Sequence, residues 1–299
     1  MSCTPGLTLV WLKSSEDGSA MLVLKKFLRD VPAVLGFCII LMVCLTAILS
    51  PLIVPNLDMV YDGDLISRLK PPSAEFWFGT DSLGRDVFAR AIMGTRGALE
   101  VALTVVTLAI GIGVPAGLYA GYSDGWGSQL VMRLTDVFLA VPQLILALAV
   151  AQLMGRGLES AMAALALTYW PFFCRTVYGE VRRLRSALFI EAQRGLGAST
   201  SRILFVHVLP NVASAVIVRA TIGMGFTIMT TAVLGFLGIG ATPPNPDWGL
   251  AIAEGREYLP QSWWAVTFPG LGILITVLGF NLFGDGLRDL VDPRLRRSR

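Results

Sequence analysis

Six stretches of this 299-residue chain are apolar, nearly free of charge and long enough to cross a lipid bilayer. The first, Val31 to Pro55, has no charged residue in 25 positions. As a helix it would be about 37 Å long, against a hydrocarbon core of about 30 Å. The others are Val101 to Ala120, Val137 to Gly155, Ser160 to about Tyr178, Val212 to about Gly240, and Leu259 to Gly284. Inside lipid a backbone must satisfy its own hydrogen bonds, so six such runs imply an all-α bundle. Only 15% of the residues are charged, where a soluble protein has roughly a quarter. The fourth run is the weakest, because Trp170-Pro171 interrupts it and Arg175 shortens its apolar part.

An even number of spans puts both termini on one side, and the placement of basic residues selects which. The N-terminal segment, the turn at 121–133, the 175–219 region and the C-terminal tail hold most of the 24 lysines and arginines. The segments between the other ends, 56–97, 156–159 and 241–258, hold as many acids as bases or more. The first set is therefore expected in the cytoplasm. Five units follow: a cytoplasmic segment 1–30, a first membrane helix 31–55, an external segment 56–97, a five-helix core 98–289 that includes the loop 182–210, and a basic tail 290–299. Met21 is a second plausible start, so the first twenty residues read as an extension.

Several kinds of chemistry are excluded. Cys3, Cys38, Cys44 and Cys174 show no C-x-x-C pairing, which argues against a zinc site or a disulfide framework. His207 is the only histidine, so no histidine cluster can hold a metal. It reads as a structural hydrogen-bonding group, with proton coupling as the alternative. No nucleophile–base constellation is visible, and no phosphate loop of the form G-x-x-x-x-G-K-[ST] is present. A membrane enzyme is thus disfavoured, and no cofactor or nucleic-acid partner is expected for this chain. Glycine-rich runs, GIGVPAG (111–117), GMGF (223–226) and GFLGIG (235–240), either let helices pack closely or serve as hinges. Pro115 and Pro142 are candidate kinks.

Ionisable residues near the spans are costly and therefore informative. Arg133 and Asp136 are spaced to pair on one helix face, as a structural pair or a gate. Glu100, Arg175 and Arg219 invite the same question, with Arg219 close enough to a span end to snorkel. In the external segment, the stretch with Gly79, Thr80, Asp81, Gly84, Arg85 and Asp86 suggests a short amphipathic helix capped by Asp81 or Ser82. Asp81, Arg85 and Asp86 can pair there. That segment either braces the outer ends of the spans or meets an external partner or gate.

The most basic stretch runs from Arg182 to Asn211, with Arg182, Arg183, Arg185, Arg194 and Arg202 against Glu191 alone. Its spacing gives two short helices broken at Gly195 and Gly197. Leu188, Ile190 and Leu196 are apolar, Glu191 suits a helix N-terminus, and Gly197 permits a positive φ. On these grounds alone the loop either rests on anionic lipid heads or docks in a groove of a soluble partner.

The pattern Glu191-Ala192-Gln193, then Gly197, then Leu209-Pro210-Asn211 resembles the cytoplasmic coupling (EAA) loop of ATP-binding-cassette importer permeases. Gln193 and Gly195 stand where that family usually has alanine. The stretches 68–90, 133–148, 240–249 and 263–295 are similar to the C-type permease of dipeptide, oligopeptide and nickel importers. The similarity extends from about Phe27 to Leu295.

This resemblance implies a type I importer permease in a bacterial inner membrane, beside a second, similar permease. Two ATPase subunits would carry ATP and magnesium, and an external solute-binding protein would deliver the solute. Leu188, Ile190, Glu191, Ala192, Arg194, Gly195, Leu196, Gly197 and Ala198 would contact the ATPases, with Leu209 and Pro210 ending the loop. Short peptides are the expected solute, with a nickel chelate or another small polar solute as the alternative. The rival class is a secondary transporter, which needs midplane acids or paired broken helices. No midplane Asp or Glu is seen.

Overall fold

The computed structural model describes residues 27–54 and 56–291. The expected extension at 1–20 lies outside them, as does nearly all of the basic tail. The described residues are helical apart from turns and one isolated bridge between Thr80 and Asp86. In chain order they form α1 (Val31–Ile53), α2 (Asp58–Tyr61), α3 (Val87–Tyr122), α4 (Trp126–Ala140), α5 (Gln143–Met154), α6 (Leu158–Arg185), α7 (Leu188–Gly195), α8 (Thr200–Phe236), α9 (Trp248–Gly255) and α10 (Trp264–Val291).

Four of these, α1, α3, α8 and α10, are long and apolar enough to cross a membrane, and a fifth is reached if the bent pair α4–α5 is counted as one span. The helix over the fourth apolar run, α6, is not among them. Its 28 residues suffice in length, at about 42 Å, but it is less apolar than the others. Trp170-Pro171 does not interrupt it; the helix runs unbroken through Pro171. The third span does break. Val137 to Gly155 is not one helix, because α4 ends at Ala140 and α5 leaves at 95° after Val141-Pro142. Pro142 is thus a real break, whereas α3 continues through Pro115.

Close backbone approach holds the bundle together. A Cβ added at Gly113 would lie 2.4 Å from the Trp170 carbonyl, and one at Gly117 2.7 Å from the Cys174 carbonyl. One at Gly121 would lie 2.7 Å from the Val181 Cβ. These three glycines, four apart, form the stripe on which α3 meets α6, as small residues do between membrane helices. Gly223 and Gly225 likewise face Tyr169 and Phe280. The glycine runs therefore act in packing at these positions. Around them the largest core gathers Phe173, Val177 and Val181 of α6, Val114 and Leu118 of α3, and Val208 and Val212 of α8. Outward faces stay apolar, with Leu41, Leu45, Ile48 and Leu52 of α1 exposed, as a bilayer solvent requires.

The helices alternate in direction and give the bundle two distinct ends. One holds the turn after α3, the end of α6 and all of α7. The start of α1 and the end of α10 also lie there, joined through Phe27 and Phe283. We call this the basic end. The other holds residues 56–86, the α5–α6 turn and α9, which caps the bundle. Residues 241–258, expected only as a segment between span ends, contain α9, whose N-cap Asp247 accepts from Leu250 N–H at 2.8 Å.

Candidate functional site

At the basic end, α6 stops at Arg185 and the chain turns at Ser186-Ala187 into the eight-residue α7. Arg182 to Arg185 thus belong to α6, and the expected pair of short helices reduces to one. Glu191 lies in the first turn of α7, where a carboxylate suits the helix dipole. Gly197 has φ +78°, and nothing lies within 4 Å of an added Cβ. It re-aims the chain so that Ser199 can cap the next helix through Arg202 N–H.

Leu209-Pro210 does not end this loop. The helix that begins at Thr200 passes through both residues. Proline lacks an N–H and crowds the preceding turn, and the backbone adapts by widening to π geometry over Ile203–Val208, with Leu209 N–H donating to the Leu204 carbonyl. Asn211 Nδ2 donates to the His207 carbonyl at 2.6 Å, satisfying an acceptor in the altered turn.

The residues grouped by sequence separate into two faces of α7. Leu188 is 84% exposed and Leu196 81% exposed, and Glu191, Ala192 and Gly195 are exposed between them. Positions 188, 191, 192, 195 and 196 form one helical stripe open to a partner. Ile190 is wholly buried in the main core, and Ala198 packs half-buried against it. Arg194 lies over the Tyr122 ring at 4.9 Å, and its Nε donates to the Tyr122 hydroxyl at 3.1 Å. Ile190, Arg194 and Ala198 therefore anchor α7 to the bundle and do not belong to its free face.

Beside it, Asp124 in the α3–α4 turn bonds to both Arg185 and Arg182. Those two hydrogen bonds, Arg185 first, hold its carboxyl well below the usual range. Asp136 pairs with Arg175 of α6 and not with Arg133, which stays exposed. Arg219 of α8 lies over Phe172 at 4.9 Å and Tyr169 at 5.9 Å.

The opposite end is built differently. No separate amphipathic helix forms there: Asp81 closes a turn by accepting from Leu83 and Arg85 N–H, and Asp86 caps α3 directly through Phe88 N–H. Arg85 is fully buried, with Nε on Asp81 and Nη2 on Glu254 of α9, each at 2.6 Å. Arg90 donates to the carbonyls of Val60 at 2.6 Å and Pro244 at 3.1 Å. Thr80 is buried, and its carbonyl accepts from Trp264 Nε1 at 3.1 Å. Gly79 and Gly84 both have positive φ, and a Cβ at Gly84 would lie 1.7 Å from the Asp64 carbonyl oxygen. The segment braces α3, α9 and α10 together.

The family model for the binding-protein-dependent transport system inner membrane component covers residues 113–297, and that for the N-terminal membrane domain of oligopeptide transport permease C covers 20–72. A dipeptide transport system permease, DppC, of Alkalihalophilus pseudofirmus is 41% identical over 91% of this chain and 89% of its own. A glutathione transport system permease, GsiD, of Pectobacterium atrosepticum is 39% identical over 91% and 90%. The di/tripeptide permease DppC of Pseudomonas aeruginosa is 38% identical over 92% of each. Among solved structures, an inward-facing MetNI methionine transporter chain superposes with TM-score 0.56 at 20% identity, covering 67% of this chain and 96% of that one, which supports the fold. The chain belongs to the binding-protein-dependent transport system inner membrane component family, as a permease subunit of the oligopeptide permease C kind.

Proposed function

We propose that this subunit forms half of the path of an ATP-driven importer for short peptides and receives mechanical work through α7. It is a non-catalytic membrane subunit. ATP and magnesium would be held by two partner ATPases, a second permease would complete the path, and an external binding protein would deliver the solute. The basic end would then face the cytoplasm, a reading that the distribution of arginine and lysine supports. The observation that carries this reading is the free stripe of Leu188, Glu191, Ala192, Gly195 and Leu196 on a helix anchored by Ile190. An apolar stripe on a short helix at the bundle surface suits a groove on a soluble partner. The named relatives support peptides as the solute.

The test is uptake of a labelled dipeptide into proteoliposomes that contain both permeases, both ATPases and the binding protein. Uptake should require ATP and should be abolished when Leu188→Glu and Leu196→Glu are combined, with the permease still folded. Uptake driven by an ion gradient without the ATPases would instead make the chain a secondary transporter.

A further inference from the structure

The least apolar long helix, α6, carries a charged stripe along one exposed face. Phe172, Arg175, Gly179 and Arg182 follow each other at spacings of three and four, so they share that face. Phe172 carries Arg219 from α8 on its ring, Arg175 pairs with Asp136 of α4, and Arg182 lies over Tyr178 while bonding to Asp124. The result is a stair of guanidinium groups descending toward the basic end.

Arg219 is the upper step and differs from the others. It stands one turn before Ile222, on which Gly284 of α10 packs, while Gly286 packs on Ala33 at the start of α1, so it lies in the half of the bundle nearer the basic end. Arg175 and Arg182 each have an acid in this chain. Arg219 has no acid within salt-bridge reach among the described residues, and its buried Nε has no partner among them. Aromatic rings are its only described neighbours of interactive kind, and cation–π contact offsets only part of a guanidinium's desolvation. A charged stripe facing acyl chains would be costly, so this face meets water or protein. The lower charges are already matched within the chain, and the stripe runs along the bundle axis.

We propose that this stripe is one wall of the aqueous path and that Arg219 attracts the carboxylate of the passing solute in the half of the path nearer the basic end. An unblocked peptide always carries such a group at its C-terminus, so the idea rests on the peptide-importer reading above. The contact is a transient, electrostatic one. It biases the path toward solutes with a free carboxylate, and the paired lower steps keep the anion from being trapped.

The test uses the assembled importer in proteoliposomes, with native cysteines replaced and a cysteine placed at Gly179, where an added Cβ meets nothing within 4 Å. Two thiol reagents of similar size are applied from the ATPase side: carboxyethyl methanethiosulfonate and trimethylammonioethyl methanethiosulfonate. Both should label the site, the carboxylate reagent about fivefold faster after correction for intrinsic reactivity, through focusing of charge in a narrow path. Arg219→Gln should at least halve that preference, and Arg219→Lys should keep it. No labelling by either reagent would mean that the stripe is covered, and would overturn the proposal. So would parity in the parent protein, which shows Arg219 already matched by a second permease, or a preference unchanged by Arg219→Gln. The parent measurement stands whether or not the glutamine variant assembles. Labelling needs neither binding protein nor turnover, so its failure is distinct from failure of the uptake assay.

Discussion

The two ends of this bundle use arginine in opposite ways. At the braced end, Arg85 is fully buried between Asp81 and Glu254, and Arg90 joins backbone carbonyls to the same Asp81. At the basic end, Arg182 and Arg185 share an exposed Asp124, and Arg194 holds α7 by one tyrosine. Buried pairs are strongly coupled and costly to break, while exposed ones are weak and screened by salt. One end is therefore fixed and the other can be moved, which suits a subunit pushed from one side.

The contrast is broken most severely at the fixed end. Arg85→Met leaves Glu254 without its cation and Asp81 with only Arg90, whose Nε lies 3.6 Å away, and should cost about 3 kcal/mol. Thermal unfolding in detergent, followed by exposure of the buried Cys174 thiol, would measure it. Replacing all three residues with apolar ones should recover part of the loss.

Ile190→Ala removes the buried anchor of α7 and should destabilise by about 2 kcal/mol, with loss of ATPase coupling. Leu188→Ala, on the free face, should weaken coupling while leaving the unfolding temperature unchanged. Equal destabilisation by the two would erase the proposed distinction between anchor and contact.

Gly197→Val forces a β-branched residue into φ +78°, costing about 1–2 kcal/mol. No atom lies near enough to clash, so the effect is one of backbone strain. The expected outcome is futile ATP hydrolysis with reduced uptake, or fewer assembled complexes on size analysis. Normal transport would count against the turn's role.

The smallest effect is expected from pH at the braced end. Burial, as the largest cause, raises the Asp247 carboxyl above its ordinary 3.8. A raised acid favours the protonated folded form, so its contribution is full below 3.8 and lost as pH rises through the raised value. Asp247→Asn keeps a capping oxygen and should abolish that loss. Its unfolding temperature relative to the parent's should therefore rise with pH across that window. A constant offset would contradict the assignment.

Much of this contrast was legible in residue order. Uncharged runs place α1, α3, α8 and α10, because nothing else buries 20 apolar residues in lipid. Glu191-Ala192 and Gly197 mark the moving end, since helix-dipole preference and positive φ are local properties. Partner choice was not legible. Asp136 and Arg133 are neighbours on a helix, yet Arg175 on another helix takes the acid. Likewise the periodicity of 188–198 could not separate exposed Leu188 from buried Ile190, because that depends on how α7 lies on the core. Low apolarity made α6 look weak as a span, although glycines of α3 and the charged stripe account for its character.

The central claim is that α7 is pushed by a nucleotide-driven neighbour. A photoreactive group on a cysteine at the exposed Ala192, in the assembled importer, tests it most directly. The account predicts a crosslink to an ATPase subunit whose yield changes with ATP. Crosslinks to lipid alone, or labelling of that cysteine from the outer face of the membrane, would contradict it.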